Sequence, residues 1–129
     1  MAISYTLDRT RGKMRTKVQG QVTVTDIVDH LDALCREEAV AYTELIDARE
    51  SGRPFLSPTE VWRAARAVLN TSVSTPFGPR AIILRDDVTF GLARIFTNIV
   101  SGHIPIEAFR DEARAEEWLA RWSRPPESK

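Results

Sequence analysis

The first hydrophobic pattern in the chain has a period of two residues, which is typical of a β-hairpin. Tyr5 and Leu7 alternate with polar residues before Gly12, and the alternation resumes after it with Met14, Thr16 and Val18. The turn of this hairpin is predicted near residues 10–13.

The pattern then changes to helical spacing, with an apolar stripe made of Ile27, Val28, Leu31, Leu34 and Cys35. Thr25 is the predicted N-cap of this first helix. Cys35 is the single cysteine of the chain, so it cannot form an internal disulfide, and we interpret it as a small buried residue. A second helix start is clearer, because Ser57-Pro58-Thr59-Glu60 is a capping box with proline at the first helical position. The buried stripe predicted for this helix consists of Val61, Ala65, Val68 and Leu69.

Three more strands and two more helices complete the pattern. A short strand is centred on residues 45–46, and "RAIILR" (80–85) is an apolar run typical of a strand covered on both faces. The helix that follows has a predicted inward stripe of Leu92, Ile95, Phe96, Ile99 and Val100 and ends at Gly102. "HIPIEAF" (103–109) predicts an edge strand, because Pro105 cannot donate to a ladder. The last helix is predicted to begin at Asp111, to end at Pro125-Pro126 and to have an apolar side of Ala115, Trp118, Leu119 and Trp122.

The resulting order is β-β-α-β-α-β-α-β-α, which predicts one α/β domain over residues 1–129. We expect a mixed sheet of four to five strands with packed α-helices, its inner strands parallel and joined by right-handed crossovers. Ligand sites in such sheets gather at the carboxyl ends of the strands, here residues 23–25, 47–57 and 86–91.

Composition and charge narrow the classes of function. The 129 residues are 43% hydrophobic, and the 18 basic and 18 acidic residues cancel, so no overall field favours nucleic acid or an anionic membrane. With no apolar run long enough for a signal peptide or a membrane span, a cytoplasmic location is expected. Basic residues occupy every second position through the hairpin, which predicts a solvated sheet face and, as the alternative, a phosphate-binding patch: Arg9, Arg11, Lys13, Arg15 and Lys17.

Several stretches, in their order along the chain, carry a resemblance to a family: "YTLD", "GQVTVTDIVDHLDAL", "ELIDAR", "SPTEVWRAA", "FGLARIF" and "AFRDEARAEEWL". Together they resemble the SpoIIAA-like or STAS-type domains, including the small bacterial ones known as STAS/SEC14-like. The resemblance implies a regulatory or ligand-binding role more often than catalysis. Family members that antagonise anti-sigma factors carry a phosphorylatable serine directly after the strand that corresponds to "ELIDAR". This chain departs from that motif, since Asp47 is followed by Ala48 and Arg49, which leaves Ser51 and Ser57 as candidate phosphorylation sites.

Candidate chemistry is sparse. Asp86 and Asp87 precede a helix, where capping explains two carboxylates better than a metal site does, and no metal or cofactor is expected. His30 and His103 have no nucleophile beside them in sequence, and we interpret both as surface or capping residues. Because no hydrolase, metalloprotease or nucleotide motif is present, catalysis is not expected, although Asp47 or Asp86 remains a candidate base.

The leading hypothesis is therefore a non-catalytic module that docks a protein partner or a second copy of itself as a homodimer. Its predicted binding surface consists of Asp47, Arg49, Ser51, Ser57, Asp86, Thr89, Gly91 and Arg94. Gly91 and Arg94 share an outward helix face, where Arg94 is expected to pair with a carboxylate or carbonyl of another chain. The alternative is a carrier of a small apolar molecule or lipid, with an apolar pocket beneath the loop that holds Phe55 and Leu56. Trp118 and Trp122 are expected first to seal the core, and next to form a dimer contact.

Overall fold

The computed structural model of the protein describes residues 2–52 and 56–123. The loop residues 53–55, including Phe55 of the predicted pocket, and the predicted helix stop Pro125-Pro126 lie outside the described residues.

The strands form one mixed sheet whose spatial order is the order of the chain. They are β1 (Ile3–Asp8), β2 (Lys13–Gly20), β3 (Thr43–Ser51), β4 (Arg80–Ile83) and β5 (Ile106–Phe109). β1 and β2 form the antiparallel hairpin, and β2 to β5 run parallel to one another. The α/β class, the element order and the parallel inner strands are thus confirmed.

The described residues form four helices: α1 (Val24–Arg36), α2 (Pro58–Ser74), α3 (Asp87–Val100) and α4 (Glu112–Ser123). α1, α2 and α3 connect successive strands, and α4 follows β5 and packs on the sheet. The capping box at Ser57 and Glu60 is present as predicted. The predicted cap of α1 at Thr25 is wrong: Thr23 caps the helix, because its hydroxyl accepts the backbone N–H of Asp26 while the Asp26 carboxylate accepts the N–H of Thr23.

The strict alternation of side chains divides the sheet into two faces. The inner face carries Thr16 and Val18 of β2, Ile46 and Ala48 of β3 and Ile82 of β4, and α1, α2 and α3 cover it. The outer face carries the basic residues of β2 together with a second apolar cluster, over which α4 packs. That cluster consists of Leu45, Ala81, Ile83, Ala115 and Leu119.

Two expectations about buried helix faces are wrong. Ile95 is exposed, because α3 turns its smaller side chains, Thr89, Ala93, Thr97 and Val100, toward the core. Cys35 is exposed as well, since the buried face of α1 is centred on Leu31 and Leu34 and extends toward His30 instead.

The tryptophan pair is also divided. Trp118 packs against the outer apolar cluster, with its ring centroid 5.9 Å from that of Phe109. Trp122 contacts Trp118 but is 54% exposed, so core sealing is wrong for this residue, which lies in the last turn of α4. In the part of the chain that the structure describes, no helix has the length and apolar character needed to cross a membrane.

Candidate functional site

The inner face of the sheet contains a buried ion pair. The second residue of β3, Glu44, is paired in register with Arg80, the first residue of β4. Arg80 Nε lies 3.0 Å from Glu44 Oε1, and the two side chains are only 3% and 2% exposed. Charged side chains are almost never buried this deeply unless they are paired, so the position is unusual even with its partner.

Several hydrogen-bonding side chains contact the Glu44 carboxylate. Besides Arg80, its Oε2 accepts a hydrogen bond from the Thr16 hydroxyl at 2.5 Å and lies 2.9 Å from His30 Nε2. Burial alone raises the pKa of Glu44, but the charge of Arg80, the contacts of His30 and the bond from Thr16 outweigh burial and lower the pKa to about 2. Glu44 is therefore a structural anion at neutral pH and not a proton donor.

His30 is not a surface or capping residue, and that prediction is wrong. Its side chain is 12% exposed, it contacts the Glu44 carboxylate, and its ring meets Tyr5 edge-on with the centroids 5.3 Å apart. The helical spacing from Leu34 and Ile27 carries His30 to the border of the buried face, where Glu44 offers a polar partner. Thr16 donates to Glu44 and not to His30, so the cluster does not form a nucleophile and base pair.

Arg80 holds the cluster to the backbone, but one of its nitrogens is left over. Its Nη1 donates to the carbonyls of Tyr42 and Gly78 at 3.0 and 2.9 Å. Its Nη2 is buried and has no hydrogen-bond partner within residues 2–52 and 56–123. The ring of Phe77 covers the guanidinium, with its centroid 4.9 Å from Cζ. A buried donor without an acceptor is rare in folded proteins and calls for an explanation.

The cluster forms part of the wall of a cavity of about 100 Å³ between the sheet and helices α1, α2 and α3. Most of the wall is apolar, and the polar residues along it are Thr16, His30, Glu44 and Arg80. Leu56 lines the cavity, as expected of the loop that was predicted to lie over an apolar pocket. The apolar part of the wall includes Ile3, Val18, Ile46, Val61, Ala64 and Ala93.

Two of the residues predicted to form a docking surface meet on the outer face of the sheet. Arg49 binds Asp47 through Nε and Nη2 at 2.9 Å each, and its Nη2 also donates to Glu112 of α4 at 3.0 Å. The bonds from Arg49 lower the pKa of Asp47 to about 2, and those to Asp47 raise the pKa of Arg49. A carboxylate held in this way is a poor candidate for a general base.

The remaining predicted residues serve local structure or point outward. Asp86 caps α3 by accepting the backbone N–H and the hydroxyl of Thr89, both at 3.0 Å. The Ser51 hydroxyl donates to the Ala48 carbonyl. Ser57 is the N-cap of α2, so its hydroxyl is already occupied by the N–H of Glu60. Phosphorylation at either serine stays a prediction.

The outward face of α3 is as predicted but makes no close contact with the rest of the described chain at Gly91. A Cβ atom added to Gly91 would have no neighbour within 4 Å. Arg94 is exposed and its guanidinium lies 6.0 Å from the ring centroid of Phe90. The proposed contact of these two residues with another chain stays a prediction.

Of the predicted basic stripe, Lys13, Arg15 and Lys17 lie on one face of β2, whereas Arg9 and Arg11 lie in the turn between β1 and β2. Ion pairs form on the β2 face, so it is not only solvated surface. Arg15 donates to both carboxylate oxygens of Glu112, at 3.1 and 3.2 Å, and Lys17 lies 3.7 Å from Glu50. The Arg15–Glu112 pair fastens α4 to the sheet, and the two pairs offset the charges of Arg15 and Lys17, so this face gives no support to a phosphate-binding patch.

Within the described ranges, no group of three or more His, Cys, Asp or Glu side chains is arranged to hold a metal ion. The candidate site is therefore the apolar cavity with its buried cluster of Thr16, His30, Glu44 and Arg80. Comparisons of the chain with protein families, curated proteins and solved structures gave no match, so the STAS-type family remains a prediction from the residues.

Proposed function

We propose that the protein binds a small, mainly apolar molecule in the cavity between the sheet and helices α1 to α3, as a carrier or sensor and not as a catalyst. Arg80 carries this proposal, because a fully buried guanidinium in the cavity wall leaves Nη2 without an acceptor in the described chain. An unsatisfied buried donor costs about 1–3 kcal/mol, which a ligand that supplies an acceptor would recover.

The rest of the cavity supports the same function. Burial of apolar ligand surface contributes about 25 cal/mol per Å², so even a ligand of six or seven heavy atoms gains binding energy from these walls. A volume of about 100 Å³ suits ligands of that size or the end of a longer chain. The cluster offers no nucleophile, and Glu44 is held as an anion by its donors, which favours binding over catalysis.

Methyl NMR spectra recorded during titration with benzene test the proposal. Benzene is expected to shift the methyl signals of Ile46, Val61 and Leu56, which line the cavity, and to leave those of Ile83 on the outer face unchanged. Filling the cavity with Ala93→Leu should abolish the shifts, whereas Ala115→Leu is a matched control because it enlarges a buried alanine on the other side of the sheet. Unchanged signals of the cavity methyls at saturating benzene would contradict the proposal.

A further inference from the structure

The buried polar cluster also restricts which molecules the cavity accepts. We infer that the ligand carries a neutral carbonyl oxygen, as in a ketone, aldehyde or ester, and that this oxygen accepts a hydrogen bond from Arg80 Nη2. The inference rests on the proposed function and names the chemical class of its ligand.

Within the described residues, the cluster has one buried hydrogen-bond donor without an acceptor, Arg80 Nη2. Glu44 Oε1 contacts Arg80 Nε and its Oε2 contacts Thr16 and His30, but neither oxygen accepts a hydrogen bond from Arg80 Nη2. Arg80 Nη1 is occupied by two backbone carbonyls. The unmet demand of the cluster is therefore for an acceptor at Nη2, and a ligand that offers only donors or only hydrocarbon leaves that demand unmet.

The charges of the cavity wall also restrict the ligand. The ionisable residues of the described cavity wall are Arg80, Glu44 and His30, and the charges of the first two cancel across a 3.0 Å contact. A ligand carboxylate that accepted a hydrogen bond from Nη2 would place a second negative charge in the buried wall, close to the Glu44 carboxylate. Burying an uncompensated charge costs several kcal/mol, whereas a carbonyl oxygen satisfies Nη2 without changing the charge. The balance of charges thus selects a neutral acceptor.

A ligand oxygen also needs a path to Arg80 Nη2. Nη2 has essentially no accessible surface, so a ligand oxygen reaches it only if a neighbouring side chain moves. Phe77 is that neighbour, because its ring both covers the Arg80 guanidinium and lines the cavity. Phe77 is half-buried and lies in the loop between α2 and β4. Loop residues are more mobile than those of helices and strands, so Phe77 is the neighbour expected to move.

Three six-carbon probes separate the terms of this inference: hexane, 2-hexanone and hexanoate, titrated at pH 7.5 and followed by the methyl signals of the cavity. The same probes are titrated into a double variant, Glu44→Leu with Arg80→Met, in which the ion pair is replaced by apolar side chains of similar size. Such replacements of buried ion pairs are commonly neutral or stabilising, so the double variant is expected to fold and to keep the cavity. Binding of hexane to the variant confirms that the cavity has survived.

In the native protein, 2-hexanone is expected to bind more tightly than hexanoate. In the double variant, the ratio of 2-hexanone affinity to hexane affinity should fall about tenfold, because the ketone loses a hydrogen bond to a charged donor. An unchanged ratio, or hexanoate as the tightest ligand, would overturn the neutral carbonyl while leaving the proposed function intact. Failure of all three probes to shift the cavity methyls would refute the proposed function itself. If the double variant does not fold, the ratio is measured in Arg80→Lys, which keeps the charge beside Glu44 but removes the planar fork.

Discussion

Removal of the buried negative charge gives the sharpest prediction for the stability of the fold. Glu44→Gln keeps the shape of the side chain but leaves the Arg80 guanidinium, 3% exposed, without a counter-charge. Breaking a buried pair from one side costs about 3–5 kcal/mol, so we expect the free energy of unfolding to fall by that amount at pH 7. Replacing both partners, in Glu44→Leu with Arg80→Met, should restore part of the loss, because no buried charge is then unpaired. The Thr16 hydroxyl and the carbonyls of Tyr42 and Gly78 still lose their partners in this variant.

The loss in Glu44→Gln should depend on pH in a defined direction. The pKa of Glu44 falls from its ordinary 4.5 to about 2 in the folded protein. Each pKa unit corresponds to about 1.4 kcal/mol, so ionised Glu44 contributes on the order of 3 kcal/mol to the free energy of unfolding. This contribution is fully present above pH 4.5 and is lost as the pH falls toward 2. The native protein should therefore lose its advantage over Glu44→Gln progressively across that window.

Urea unfolding at pH values from 7 to 2, followed by circular dichroism, measures this difference directly. Asp47 also has a lowered pKa, so it adds to the pH dependence of the free energy of unfolding. The variant keeps Asp47, so this contribution cancels in the difference between the native protein and the variant. Glu107→Gln changes an exposed carboxylate on the edge strand β5 and should reproduce the native pH profile. A stability difference between the native protein and Glu44→Gln that stays constant from pH 5 to pH 2 would refute the electrostatic reasoning.

Two further predictions concern glycines and the outer face. Gly91→Ala should raise the free energy of unfolding by about 1 kcal/mol in thermal unfolding, because the added methyl meets nothing within 4 Å inside α3. Gly78→Ala should lower the free energy of unfolding by about 1–3 kcal/mol, since the added Cβ would lie 2.2 Å from the Ala41 carbonyl oxygen. Equal effects of the two substitutions on stability would contradict this packing. Glu112→Gln weakens the bonds from Arg15 and should lower the free energy of unfolding by less than about 1 kcal/mol. This loss should disappear in about 1 M salt. The control Glu117→Gln, at an exposed position on the same helix, should show no such loss.

The architecture was readable from the sequence where local signals and burial agree. The alternation on β2 continues as alternating burial, and the cap at Ser57 forms as its capping box predicts. Ala81, Ile82 and Ile83 of the short strand β4 are all buried, as the uninterrupted apolar run indicates. These features follow from backbone geometry and from burial of one face, which neighbouring residues in the chain already encode.

The buried cluster could not be read in the same way, because its residues come from four separate elements. A charge beside an apolar run is more often the exposed end of a strand than a core residue, so the sequence pattern does not predict that Arg80 is buried. A signal was nevertheless present at Glu44, which shares its strand face with Ile46 and Ala48, both apolar. A charge at an inward position of a parallel strand needs a partner in the next strand, and the register supplies Arg80.

The position of the cluster also departs from the general rule for parallel sheets. That rule places ligands at the carboxyl ends of strands, where the predicted docking residues lie. Glu44 and Arg80 instead occupy the amino ends of β3 and β4, and they face the core. Polar chemistry inside this fold therefore lies on the inner sheet face, where helices α1 to α3 exclude water and strengthen each hydrogen bond.

Two physical roles can account for a buried ion pair at this point, and they make different demands. A pair that only fixes strand register needs a partner for each of its buried polar atoms, because a partly satisfied network costs more than an apolar core. The Glu44 carboxylate meets that condition, whereas Arg80 Nη2 does not. Register alone thus explains the glutamate but not the arginine. The ligand acceptor that we propose accounts for both, and the apolar wall beside Arg80 is the reason for proposing that the rest of the ligand is apolar.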